Sequence, residues 1–196
     1  MKKAFCILFF TLALFGFGCA NKIDTVKDEN APKEINREQI LTQAKRDGLI
    51  MDDNEIEKMS DVSVLQTTNG KNQTSFAQYI KKDFAGWNSA ALADVTSGGS
   101  FGLAFSTFET GSYTLVVKMG NLPELSEGSH YEGWVVKRGN EMRVISVGQA
   151  IKNEDQFVIV FKSPEDLTAY DFFVLTLESN ETDPSPSSHI LEGTFR

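Results

Sequence analysis

The sequence predicts an all-β chain, an antiparallel sandwich of about eight short strands behind a short helical segment. Three observations predict it. From about residue 90 onward, apolar residues recur with period two in short runs, the spacing that lines one face of a strand. Turn-forming clusters such as ETGS, KRGN and DPSPSS separate these runs. The chain shows neither β–α–β alternation nor a glycine-rich nucleotide motif, which removes the α/β architectures. This spacing of strands and turns is that of an immunoglobulin-like (Ig-like) sandwich.

The chain opens with MKKAFCILFFTLALFGFGCAN. Lys2 and Lys3 form a positive start, and Ala4 to Gly18 is an uncharged, mostly apolar run of fifteen residues. A bilayer-spanning helix needs roughly 20, so residues 1–18 read as a removable signal peptide. The small Gly18 before Cys19 is similar to a bacterial lipobox, whose cysteine is acylated and becomes the new N-terminus. Phe17 and Gly16 depart from the usual leucine-then-small order. Removing the signal removes Cys6 and leaves Cys19 as the sole cysteine, so no intrachain disulfide can form. An unpaired thiol is a hazard in an oxidising compartment, and an acylated one is not. Cys19 is therefore the expected lipidation site; the alternative is an ordinary secreted protein cut nearby. Ala20 in place of an aspartate is compatible with an outer-leaflet or outer-membrane position. The expected location is the cell envelope, anchored by lipid and facing the periplasm or exterior.

Residues 19–35 form a polar, lipidated tether with one proline. Between 36 and 60 helix formers dominate. Asn36 is placed to cap REQILTQAKRD, and Gly48 to stop it. Asp52 and Glu55 have the spacing of a capping box for a second short helix. The apolar stripe is thin, so this pair needs a surface to pack on. DGLIMDDNEIEKM is acidic but lacks the alternating oxygen ligands and central glycine of a calcium loop; helix caps account for the same letters. Residues 61–75 are polar, with Asn69-Gly70 as a turn, and the β-sandwich is expected over 76–196.

The predicted strands are 91–95, 100–108, 113–119, 130–136, 142–147, 156–161, 170–177 and 189–195. SPEDL (163–167) reads as a short helical turn started by Ser163 and Pro164. The loop 179–188 carries Pro184 and Pro186, which restrict the unfolded chain.

With 41% hydrophobic residues in 196, the chain supports one domain with a real core plus tails. Its formal charge is −8, or −10 without Lys2 and Lys3. That balance excludes a phosphate-binding nucleic-acid footprint. It also opposes adsorption to anionic headgroups, so membrane attachment must come from the lipid.

Two stretches, GNLPELSEGSHYEGWVV (120–136) and FFVLTLESNETDPSPSSHILEGTF (172–195), carry a family resemblance. A Leu-Pro before a short loop leads into a Tyr-x-x-Trp strand. Later, a strand ending in Thr-Leu-Glu, a proline-containing loop and a final strand with a near-terminal glycine follow. Over about 90–195 this resembles the C-terminal extracytoplasmic domain of anti-sigma-K factors (the RskA type). In place of that family's frequent paired loop glycines stand Asn180, Glu181 and Thr182. The resemblance implies a β-sandwich in an envelope setting. The family places a cytoplasmic sigma-binding domain and a spanning helix before this domain, and neither is read in this sequence. Sigma-factor inhibition is therefore not implied.

The inventory of catalytic parts is sparse. His130 and His189 are the only histidines, and neither has a companion at metal-ligand spacing. No Gly-x-Ser-x-Gly elbow and no evident carboxylate dyad is present. No catalytic residue, metal site or cofactor is assigned. In YEGW, alternation puts Tyr131 and Gly133 on one face and Glu132 and Trp134 on the other. Tyr131, Glu132 and Trp134 are candidate ligand-binding residues. The competing structural reading is a core Trp134 whose indole N–H bonds to Glu132 or backbone, with Gly133 permitting close approach of the facing sheet. Glu178 and Glu192 are expected to satisfy buried donors near the terminal loop. The expected function is a non-catalytic envelope lipoprotein that binds or senses an envelope partner or ligand. The alternatives are an envelope hydrolase with an unrecognised site and a metal carrier.

Overall fold

Two short helices lead the described part of the chain. The computed structural model describes residues 35–73, 75–179 and 184–196; Cys19, the signal, nearly all of the tether and part of the 179–188 loop lie outside them. Helix α1 (Arg37–Arg46) begins at the expected cap, where Asn36 Oδ1 accepts from the Gln39 N–H at 3.0 Å. Glu38 in the first turn and Lys45 and Arg46 in the last complement the helix dipole. Gly48 follows at φ +65°, a left-handed conformation that suits glycine. Helix α2 (Asp53–Met59) has the Asp52–Glu55 capping box, with both hydrogen bonds present.

The all-β prediction holds. The strands are β1 (Lys71–Asn72), β2 (Asn88–Asp94), β3 (Phe101–Glu109), β4 (Ser112–Gly120) and β5 (Ser129–Lys137). They continue with β6 (Arg143–Gln149), β7 (Ile151–Asn153), β8 (Gln156–Ser163), β9 (Phe172–Ser179) and β10 (Ser188–Thr194). They form one antiparallel ten-stranded sheet in the order β1-β8-β4-β3-β2-β10-β9-β5-β6, with β7 also paired to β8. The two ends of that path approach one another. Asn72 Nδ2 of β1 donates to Gln149 O of β6 at 2.8 Å. Leu65 forms a parallel bridge with Val144, and the Gln66 N–H bonds Val144 O at 2.8 Å. The sheet is therefore a flattened, nearly closed barrel, a sandwich whose halves join through β2 and β10.

All eight predicted strands are present. The additional β1 and β7 are two and three residues long. SPEDL is not helical. Ser163 Oγ accepts from the Glu165 N–H, and Asp166 Oδ1 accepts from Thr168 N–H and Oγ1, so side chains close two local turns instead.

The sheet buries three apolar layers, which explains the near-continuous apolar runs in β4, β5, β8 and β9. Between the halves lies the main core, where Tyr113, Leu115 and Ile159 meet Tyr131, Val135 and Phe173. Outside β5, β6 and β9, the helical pair lays Met51 and Met59 on Trp134, Val136 and Phe172. That is the packing surface its thin apolar stripe required. Outside β4 and β8, Phe76 and Tyr79 cover Val116, Val158 and Val160. Asn36–Arg196 accordingly form one compact unit.

Gly133 faces Ile159 of the opposite half of the sheet across the core. A Cβ there would lie 2.5 Å from Ile159 Cδ1 and 3.1 Å from the Phe173 ring, so a side chain would require the facing Ile159 to shift.

Candidate functional site

Alternation along β5 sorts the predicted site residues onto two faces. Tyr131 points inward and is buried in the main core. Its hydroxyl donates to Pro123 O at 2.9 Å, and burial raises the phenol's pKa. Tyr131 is thus a core residue and not part of a binding surface. Glu132 and Trp134 face outward, together with His130, and this face carries a cleft of about 480 Å³.

The cleft is built on three neighbouring strands. On β9, Glu178 lies directly across from His130, and Thr176 across from Glu132. On β6, Ser146 pairs with Trp134 and Gly148 with Gly133, which leaves Val147 as an extra residue. Gly148 takes φ +93° at this bulge. The bulge brings Ser146 to Glu132, and Ser146 Oγ donates to Glu132 Oε1. Glu132 Oε2 lies 3.3 Å from His130 Nε2. Leu65, Gln66 and Gln149 complete the walls.

The indole N–H of Trp134 donates to Thr176 Oγ1 at 2.8 Å. Neither Glu132 nor a backbone carbonyl receives it, contrary to expectation. Thr176 Oγ1 in turn reaches the Glu132 carbonyl at 3.4 Å. Trp134 is held in the layer beneath the helical pair and presents only an edge to the cleft.

Both terminal glutamates accept from backbone donors as expected, but only the donor to Glu178 belongs to the terminal loop; that to Glu192 comes from the helical segment. Glu178 accepts from Ser187 N–H at 2.9 Å and from Ser187 Oγ at 2.6 Å. Glu192 Oε2 accepts from the buried Met51 N–H at 2.6 Å. The second partner of Glu192, His189 Nδ1 at 2.7 Å from Oε1, has no signal in the plain alternation of β10. Residues three apart on a strand face opposite ways. A bulge between His189 and Leu191 shifts that phase and sets both side chains on one face.

In this arrangement a carboxylate separates the serine from the histidine. An activated serine requires its hydroxyl on the imidazole, with the acid behind the ring. Ser146 donates to Glu132 instead, so Ser146, Glu132 and His130 do not form such a relay. Among the described residues no three His, Cys, Asp or Glu side chains gather as a metal cluster. The two histidines sit in different pockets. The cleft is rich in acceptors: the described residues that line it include Glu132 and Glu178 and neither Lys nor Arg. Chemically it suits a group that donates hydrogen bonds or carries positive charge.

No helix among the described residues is long and apolar enough to cross a membrane. The chain matches no protein-family model, no curated protein and no solved structure. The likeness to anti-sigma-K domains therefore rests on the sequence signatures alone.

Proposed function

We propose that this protein is a bacterial cell-envelope lipoprotein, anchored through Cys19, whose β-domain binds an envelope partner or ligand without turnover. The anti-sigma-K resemblance supports the setting, and the lipobox-like stretch supports the anchor. The observation that carries binding is the acceptor-lined cleft of Glu132 and Glu178 over Trp134, in which a carboxylate stands between Ser146 and His130. The group received there is cationic or donor-rich, such as a lysine side chain of the partner.

Two measurements test this reading. Cys19→Ser should move the protein from the membrane fraction to the soluble one; retention in the membrane overturns the anchor. With Trp87→Phe, Trp134 is the only tryptophan left. Butylamine should then shift its fluorescence saturably, butanol should not, and Glu132→Gln should weaken the butylamine response. Equal responses to both probes would overturn the cationic assignment.

A further inference from the structure

The outer face of the half-sheet β2–β3–β4–β8 is only partly covered. Phe76 and Tyr79 pack over Val116, Val158 and Val160 at one end. At the other end the outward residues of β3, Phe101 and Leu103, are 62% and 48% exposed. Their ladder neighbours do not rise over them: Phe101 lies between Ala93 and Gly120, and Leu103 between Ala91 and Lys118. The Phe101 ring sits on Gly120, where a Cβ would come 2.7 Å from the ring edge. Phe101 and Leu103 thus make an apolar floor. Over it opens a cavity of about 400 Å³, bounded by the β7–β8 turn and separate from the acceptor-lined cleft.

The rim of this cavity carries donors and acceptors, and charges of both signs. Asn121 and Gln156 bring carboxamides, Glu154 and Asp155 carboxylates, and Lys118 an ammonium. The side chains of Glu154, Asp155 and Gln156 make no hydrogen bond or ion pair among the described residues. Asn121 directs Nδ2 to Gly99 O at 2.9 Å. Lys118 Nζ donates to Tyr79 O at 3.3 Å and lies 5.0 Å from the centre of the Phe84 ring. No carboxylate among the described residues pairs with it.

We propose that this cavity binds a neutral sugar of the β-glucose type, its C–H face stacked on Phe101 and its hydroxyls on the polar rim. Three features lead there. A largely exposed ring seated on glycine is a flat platform, and a pyranose whose hydroxyls are all equatorial offers an apolar face of axial C–H groups to match it. Each sugar hydroxyl both donates and accepts, so it can pair with carboxamide N–H groups as well as with carboxylate and carboxamide oxygens. The mixed charge selects against ligands of one sign: a cation on the floor approaches Lys118, and an anion approaches Glu154 and Asp155. A purely apolar ligand would take water from the rim and return no hydrogen bond.

The test uses the full chain in a detergent without a sugar head group. Cellotriose is the probe, with the glucosamine trimer in its cationic form and cyclohexanol as controls. Cellotriose should bind saturably by calorimetry, and irradiating the aromatic protons should transfer saturation to its axial C–H protons. Each control should bind at least about tenfold more weakly. Phe101→Ala removes the platform at an exposed position and should abolish measurable binding while the protein stays folded. Gln156→Ala removes a carboxamide that bonds nothing else among the described residues and should weaken cellotriose about fivefold. Absence of cellotriose binding to the parent chain, either control binding as well as cellotriose, or unchanged affinity in folded Phe101→Ala or Gln156→Ala each overturns the proposal.

Discussion

Replacing Thr176 by valine removes the hydroxyl that accepts the Trp134 indole N–H over the cleft. The two side chains are nearly equal in shape, so the packing of β9 is preserved and the hydroxyl alone is lost, as acceptor for Trp134 and as donor in the longer contact with Glu132 O. Thr176 is fully buried and Trp134 is 5% exposed, so water has little access to the freed indole N–H. Leaving a buried donor unsatisfied costs about 1–3 kcal/mol. The methyl that replaces the hydroxyl offsets up to about 0.8 kcal/mol. The net expectation is a loss of about 1–2 kcal/mol, read as a lower urea midpoint at unchanged slope. At about 2–4 °C per kcal/mol for a domain of this size, the unfolding temperature drops by several degrees. Trp134→Phe removes the donor itself. The double variant should then be less destabilised than the sum of the singles, by about 1 kcal/mol. A Thr176→Val protein within about 0.5 kcal/mol of the parent, or strict additivity in the cycle, would refute the assignment of this bond.

Two further predictions concern buried polar groups. Asp94 carries opposing influences: burial pushes its carboxyl up, while hydrogen bonds from Thr96 Oγ1, Ser100 N–H and Thr96 N–H together outweigh burial and hold it below the ordinary carboxylate value. A lowered carboxyl stabilises the fold above its unfolded value of about 3.9 and loses that contribution as pH falls through the folded value. The stability gap between the parent and Asp94→Asn should therefore be widest near neutrality and close as pH drops below about 4 in urea titrations; a gap that stays constant with pH would contradict this. The hydroxyl of Tyr113 is buried and makes no hydrogen bond of good geometry among the described residues; burial raises its pKa far above the ordinary phenol value, against a smaller lowering by the nearby Ser106 hydroxyl. Tyr113→Phe keeps the edge contact with Phe161 and should be neutral or stabilising by up to about 1 kcal/mol in thermal unfolding. A clear destabilisation would reveal a partner for the hydroxyl.

The parts of the fold that were legible are those written in local pattern. Eight strands followed from period-two runs, and Asn36, Gly48 and the Asp52–Glu55 box marked helix ends because caps act within three or four residues. β1 and β7 are too short to carry an alternation. SPEDL misled because the serine and aspartate that start a helix also close turns on themselves, and here Ser163 and Asp166 did the latter. The site was half legible. Alternation separated Glu132 and Trp134 from the inward Tyr131. It could not supply Thr176, 42 residues away from Trp134, nor Met51, 141 residues from Glu192. The pairing of His189 with Glu192 depends on a bulge that leaves no compositional mark.

The position of β10 has a consequence for how the chain reaches this state. Seven residues near the C-terminus lie between β2 and β9, and they are the sole ladder joining the two halves of the sheet on that side. Until they arrive, β2–β3–β4–β8 and β9–β5–β6 are separate ribbons with open edges, each exposing one wall of the future core. In a chain made N-terminus first, β10 follows every other strand, so closure waits for it. Until then two strand edges stay unpaired, the interval in which edge-to-edge aggregation competes with folding.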